Sequence, residues 1–264
     1  MKFFIILLNL VFIISSCSTV PITGRKRLNF VSDAVVLPMS FAQYKFFIQE
    51  NNLSKDKDKT EEIKAVGKRI SRAVTRFMRD NHMSKEADSY AWEFNLIEDK
   101  TINAWCMPGG KVVFYTGMLP IAKNTDGIAA IMGHEVAHAF AKHGQERMSS
   151  QQIQQVGTLV VAAGTADETT EEQLIWNMAY GLGSELGMLK FSRQHETEAD
   201  KLGMVFMIMG GYEPQQAVEV WKRMKALRMS STPEFMSTHP SNDTRIKNLQ
   251  DFIPEAKLIA DDLK

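Results

Sequence analysis

Two rhythms of apolar and polar positions run through the chain. Ile63, Val66, Ile70, Val74 and Phe77 recur at three- and four-residue spacing behind Thr60, a candidate N-cap, and predict a long amphipathic helix. A shorter helical rhythm covers residues 40–49, with a polar, lysine-rich break between the two. After the polar turn at Asp80-Asn81-His82, where His82 is expected to face solvent, the period drops to two. Trp92, Phe94 and Leu96 alternate with Glu93 and Asn95, as in a half-buried strand. Residues 102–107 and the run Lys111, Val112, Val113, Phe114, Tyr115 predict two further strands about the turn Pro108-Gly109-Gly110, making a small antiparallel sheet. From Thr125 to Lys142 the pattern is helical again and apolar on nearly every side, so that helix is expected to be buried.

Helices are predicted at 149–163 and 171–189. The second carries Gly181, Gly183 and Gly187 among Trp176, Met178, Tyr180, Leu182 and Leu186. Each glycine weakens a helix by about 1 kcal/mol, and the pattern fits either close packing against neighbouring helices or a mobile lid. Gly210-Gly211 ends a helix through Met209, Pro214 opens one over 215–227, and Ser241 is a candidate N-cap for a last helix reaching Phe252.

The buried helix carries His134-Glu135-Val136-Ala137-His138. Four residues advance a helix by about 400°, so both imidazoles project from one face about a turn apart. Buried without partners they would be costly, whereas a zinc ion satisfies them and leaves Glu135 placed as general base toward a water. A third ligand must come from elsewhere. Glu196 and Asp200 are i,i+4 neighbours on a later helix, so a carboxylate ligand there would have a second carboxylate a turn away able to fix a ligand imidazole. On spacing alone His195 and Glu198 compete with Glu196.

Basic and acidic residues number 31 each, which leaves no electrostatic footprint for nucleic acid. Met1-Lys2 and the apolar run from Phe3 to Ile14 are too short to span a bilayer and suit a signal peptide, 1–16. Ile14-Ser15-Ser16-Cys17 resembles a bacterial lipobox. That resemblance implies cleavage before Cys17, its lipidation, and membrane attachment through a tether over 17–31, with Ser18 suggesting the outer membrane facing the periplasm. Cys106 then has no disulfide partner.

Asn103-Ala104-Trp105-Cys106-Met107-Pro108-Gly109-Gly110, Tyr115-Thr116-Gly117-Met118-Leu119, the His134–His138 motif and Glu196-Thr197-Glu198-Ala199-Asp200 together resemble the CAAX-prenyl-protease-type zinc metallopeptidases, in their soluble periplasmic lipoprotein branch. The resemblance implies one α+β domain over 32–264, mostly α-helical and zincin-like with a small antiparallel sheet. It implies one zinc held by His134, His138 and Glu196, with Asp200 behind them. It places His239, before Pro240, beside the metal, either assisting catalysis or masking the open position. The expected activity is endoproteolysis of unfolded or misfolded envelope proteins, whose extended chain pairs with an edge strand at Lys111–Tyr115. The alternative is a catalytically silent, lipid-anchored chaperone or scaffold of the same fold. Oligomeric state is not legible.

Overall fold

The computed structural model describes residues 17–227, 233–240 and 242–263. The segment expected to be a signal peptide, residues 1–16, and the N-cap candidate Ser241 lie outside the described residues. The elements in order are strands β1 (Cys17–Thr19) and β2 (Lys26–Leu28), helices α1 (Asp33–Glu50), α2 (Lys57–Asp80) and α3 (Ser84–Ser89), and strands β3 (Glu93–Ile97), β4 (Ala104–Met107) and β5 (Lys111–Tyr115). Helices α4 (Leu119–Ala122), α5 (Thr125–Phe140), α6 (His143–Gly164), α7 (Thr170–Met209), α8 (Gln215–Leu227), α9 (Glu234–Thr238) and α10 (Asp243–Asp262) follow. The α+β class expected from the sequence is the one observed. The chain divides into two compact units, Met1–Val36 with Lys142–His195, and Leu37–Ala141 with Glu196–Lys264. None of the described helices is long and apolar enough to cross a membrane.

In the first unit the stretch expected to be an extended tether is a β-hairpin. Cys17 pairs with Leu28 and Thr19 with Lys26, antiparallel, around a turn in which Ile22 and Gly24 take positive φ. Val20 is fully buried, and Arg27, also buried, donates to the Ser18 hydroxyl at 2.8 Å. Arg25 forks onto the Glu146 carboxylate at 2.8 and 2.7 Å, and His195 Nε2 lies 3.0 Å from the same carboxylate. These contacts tie down the stretch expected to be a tether. At the start of α6, Lys142 takes a left-handed φ of 57° and reaches the Asp33 carboxylate, which also accepts from Gln145 at 2.7 Å.

The second unit is built on α2, α5 and the three-stranded sheet. Asp56, rather than Thr60, caps α2 by accepting from the Lys59 amide at 2.9 Å, and the stripe Ile63, Val66, Ile70, Val74, Phe77 is buried as its spacing requires. The strand order is β3-β5-β4, with β3 parallel and β4 antiparallel to β5. Lys111–Tyr115 is therefore the central strand, hydrogen-bonded on both sides, and offers no free edge; the sequence showed three strands but not their order. The edges are β3, where Leu53 bridges to Ile97, and β4.

Asn124 caps α5 through the Gly127 amide, and every residue from Gly127 to Ala137 is buried. Phe140 packs edge-on to Phe77 and Phe206. The C-terminal part of α7 crosses α5 where two glycines meet: a Cβ on Gly203 would lie 2.7 Å from the His134 amide nitrogen, and one on Gly133 2.7 Å from the Gly203 carbonyl oxygen. Elsewhere the glycines of α7 behave differently. Around Gly181, Gly183 and Gly187 there is open space, so the expectation that they serve close packing does not hold. Helix α7 also runs unbroken where two helices had been expected, because nothing between Leu189 and Glu196 breaks it.

Candidate metal centre

Within the second unit, α5 supplies His134 and His138, α7 supplies Glu196, and the residue after α9 is His239. The four offer ligand atoms that all lie within 4.8 Å of one another. His134 Nε2 is 3.1 Å from His138 Nε2, 3.2 Å from His239 Nδ1 and 3.4 Å from Glu196 Oε2. His138 Nε2 is 3.3 Å from Glu196 Oε1, and His239 Nδ1 is 2.9 Å from Glu196 Oε2. Donors held tetrahedrally at 2.0–2.1 Å from a zinc ion lie roughly 3.3–3.4 Å apart. The observed spacings fall close to that, and the donor set of imidazole and carboxylate is the kind zinc takes.

The lone-pair directions agree. His134 Nδ1 is 3.0 Å from Asp200 Oδ1, which fixes a proton on Nδ1 and leaves Nε2 aimed as an acceptor at the other donors. Asp200 thus sits where the i,i+4 spacing placed it. Of the two competitors of Glu196, neither is in the four-residue group: Glu198 is buried elsewhere, and His195 belongs to the first unit, stacked on His143 with ring centroids 4.0 Å apart.

Glu135 is 4 % exposed, and its Oε1 has no hydrogen-bond partner among the described residues; His239 Nε2 lies 3.7 Å from it. Burial pushes its carboxyl up, against the pull of His239 and His134. A buried carboxylate oxygen without a donor is costly, and a water bound at the centre would satisfy it. For Glu196 burial raises the carboxyl too, but the three imidazoles outweigh it and hold it well below the usual range.

One residue of the site had no signal in the sequence. Arg245, in the first turn of α10, is buried and donates through Nε and Nη2 to the two oxygens of Asp200, each at 2.7 Å. Its Nη1 donates to the Pro240 carbonyl at 3.0 Å and lies 3.1 Å from Glu196 Oε2, and the guanidinium stacks 3.4 Å over the Trp221 ring. Asn242 accepts from the Arg245 amide at 2.8 Å as N-cap of α10. Arg245 therefore ties the loop carrying His239 and Pro240 to Asp200 and, through Asp200, to His134. His82, expected to be exposed, is so.

Comparison with known proteins bears on this geometry. The family description "Peptidase family M48" matches residues 64–253. The mitochondrial metalloendopeptidase OMA1 of Schizosaccharomyces pombe is 33% identical over 90% of this chain and 67% of its own length. The OMA1 of Saccharomyces cerevisiae is 35% identical over 65% of this chain and 50% of its own. The beta-barrel assembly-enhancing protease of Escherichia coli strain K12 is 29% identical over 59% of this chain and 33% of its own. The chain thus spans from about a third to two thirds of the length of these relatives.

Proposed function

Since the chain belongs to peptidase family M48 and is a zinc metalloendopeptidase, we propose that it cleaves unfolded or misfolded proteins of the bacterial envelope from a lipid-anchored position. The observation that carries the catalytic part is the convergence of four donors at zinc-like spacing beside a buried carboxylate oxygen that lacks a partner. In this reading His134, His138 and Glu196 hold the metal, Asp200 orients His134, and Glu135 is the general base. Zinc, when bound, supplies Lewis-acid polarisation of the scissile carbonyl and of the attacking water. Glu135 takes the water's proton and returns it to the leaving amine, a role suited to a carboxylate whose proton affinity burial has raised. His239 stands at the fourth vertex of the donor set, which supports the reading that it masks the open position until substrate displaces it. The substrate strand is assigned to the outer edge of β4, which packs beside α5, because backbone pairing there selects an extended chain with little regard to its side chains.

Glu135→Gln tests the reading. It should hold zinc at one ion per chain and lose cleavage of an unfolded protein; loss of zinc would make Glu135 a ligand or a prop and remove the mechanism. Supporting the envelope setting are the lipobox ending at Cys17 and the similarity to a protease named for β-barrel assembly. Cys17→Ser should abolish incorporation of labelled palmitate, and unchanged labelling would refute the anchor.

A further inference from the structure

In the first unit α6 and the N-terminal part of α7 form an antiparallel hairpin whose polarity is inverted. Its seam is polar and small: Gln154 donates to Ser184 at 2.9 Å, Tyr180 donates to the Gln154 carbonyl at 3.1 Å, and a Cβ on Gly157 would lie 1.9 Å from the Tyr180 hydroxyl. The outside is apolar. Ile153, Val156 and Val160 on α6, and Ile175, Met178 and Leu182 on α7, recur with the same three- and four-residue steps and are each 45–64 % exposed; Leu159 and Trp176 are exposed beside them. A helical pair in water hides its apolar stripes in the seam, so stripes turned outward with hydrogen bonds inside call for an apolar neighbour.

Charge chooses the neighbour. Between Met148 and Leu189 the hairpin has acidic residues but no lysine or arginine. Asp167, Glu168, Glu171 and Glu172 crowd the tip, while Arg147 and Lys190 stand at the base. Entering lipid tip-first would carry those carboxylates through hydrocarbon, and no basic side chain along the arms is available to meet acidic headgroups. A second hairpin laid antiparallel does better. Arg147 to Asp167 and Glu171 to Lys190 are nearly equal lengths of chain, roughly 30 Å of helix each, so both acidic tips reach both basic bases at once while the stripes meet between them. Two-fold symmetry makes every such contact occur twice.

We propose that this hairpin is a self-association surface, on which a second copy of the chain docks antiparallel to form a four-helix bundle with tip against base. The test is cysteine cross-linking between two differently tagged copies of the full chain. One carries Arg147→Cys and the other Asp167→Cys; a mixed-tag disulfide above the level of the wild-type pair is expected. The same experiment with Asp167→Cys on both copies should give no gain, since an antiparallel arrangement holds the tips apart. Adding Leu159→Glu and Leu182→Glu, at positions 69 % and 62 % exposed, should return the cross-link to background. Three results would overturn the proposal. The first is no mixed-tag product at any protein concentration tried, and the second is efficient tip-to-tip product. The third is quenching by brominated phosphatidylcholine vesicles that disappears in Trp176→Phe, which would assign the surface to lipid.

Discussion

The crossing of α5 and α7 fixes where Glu196 stands relative to His134 and His138, and one methyl group should disturb it. In Gly203→Ala the new Cβ starts 2.7 Å from the His134 amide nitrogen and 2.8 Å from the Gly133 carbonyl carbon, both backbone atoms that cannot rotate away. Ordinary contact begins near 3.5 Å, so the two helices must separate by about 0.8 Å. Metal sites tolerate about 0.2 Å, so the donor set should open beyond what zinc accepts. Two effects on stability oppose each other: alanine gains about 1 kcal/mol of helix propensity, while overpacking costs about 1–3 kcal/mol. The apo protein should therefore lose up to about 2 kcal/mol, and zinc affinity should fall on the order of tenfold or more, as when supports of metal ligands are disturbed.

Gly181→Ala, in the same helix but facing open space, supplies the control. It should keep the propensity gain alone, raising the melting temperature by about 2–4 °C for a chain of this size and leaving zinc affinity unchanged. Thermal unfolding with and without chelator, together with zinc competition against a chromophoric chelator, reads both quantities. If Gly203→Ala is stabilised as Gly181→Ala is, and binds zinc as tightly as the wild type, the crossing does not control the site.

Two more outcomes are expected. Burial raises the Glu146 carboxyl, but Arg25 and His195 outweigh it and bring it to about 2. Because the folded value lies below the unfolded one, the stabilisation, about 3 kcal/mol, is whole above pH 4.5 and drains away as pH falls toward 2. Urea unfolding of wild type and Glu146→Gln should show a difference that narrows between pH 6 and about 3; a gap independent of pH would refute the pairing. His239→Ala, assayed on an unfolded protein at matched zinc content, should raise turnover if the imidazole masks the fourth position. A loss of about 10² to 10³ would instead assign it to the oxyanion, and a change within about twofold would leave it an ordinary loop residue.

What the sequence disclosed was what helical spacing encodes. His134 and His138, and Glu196 and Asp200, are i,i+4 pairs, so the face each shares follows from the helix alone. Spacing cannot report which strand lies in the middle of a sheet, and Lys111–Tyr115, the most buried of the three strands, is the central one, paired parallel with β3 on one side and antiparallel with β4 on the other. Nor could it report that Arg25 and Arg27, in the stretch expected to be a tether, fold back onto Glu146 and Ser18. Arg245 was invisible for the same reason: Asp200 is its partner across 45 residues, with no local motif joining them. The glycines of α7 carried an ambiguous signal, since Gly181 and Gly203 look alike in sequence and only packing tells that one faces open space and the other a backbone.

Arg245 also explains why a divalent cation suits this centre. Glu135, Glu196 and Asp200 are each buried with under a tenth of their surface exposed, and Arg245 is the guanidinium buried with them. With neutral imidazoles, three carboxylates against one guanidinium leave two negative charges in a region from which water is largely excluded, a state that is costly unless compensated. Protons can compensate in part. Burial works against charging His134, yet Asp200 and Glu196 prevail and push it up to about 9, so the carboxylates draw a proton onto the nitrogen whose lone pair the metal needs. Proton and cation therefore compete for one set of donors, and binding the metal releases protons. A lysine in place of Arg245 could surrender its charge and change the balance, whereas a guanidinium keeps its charge throughout the pH range in which proteins fold. It holds the count at two, the charge that Zn²⁺ brings.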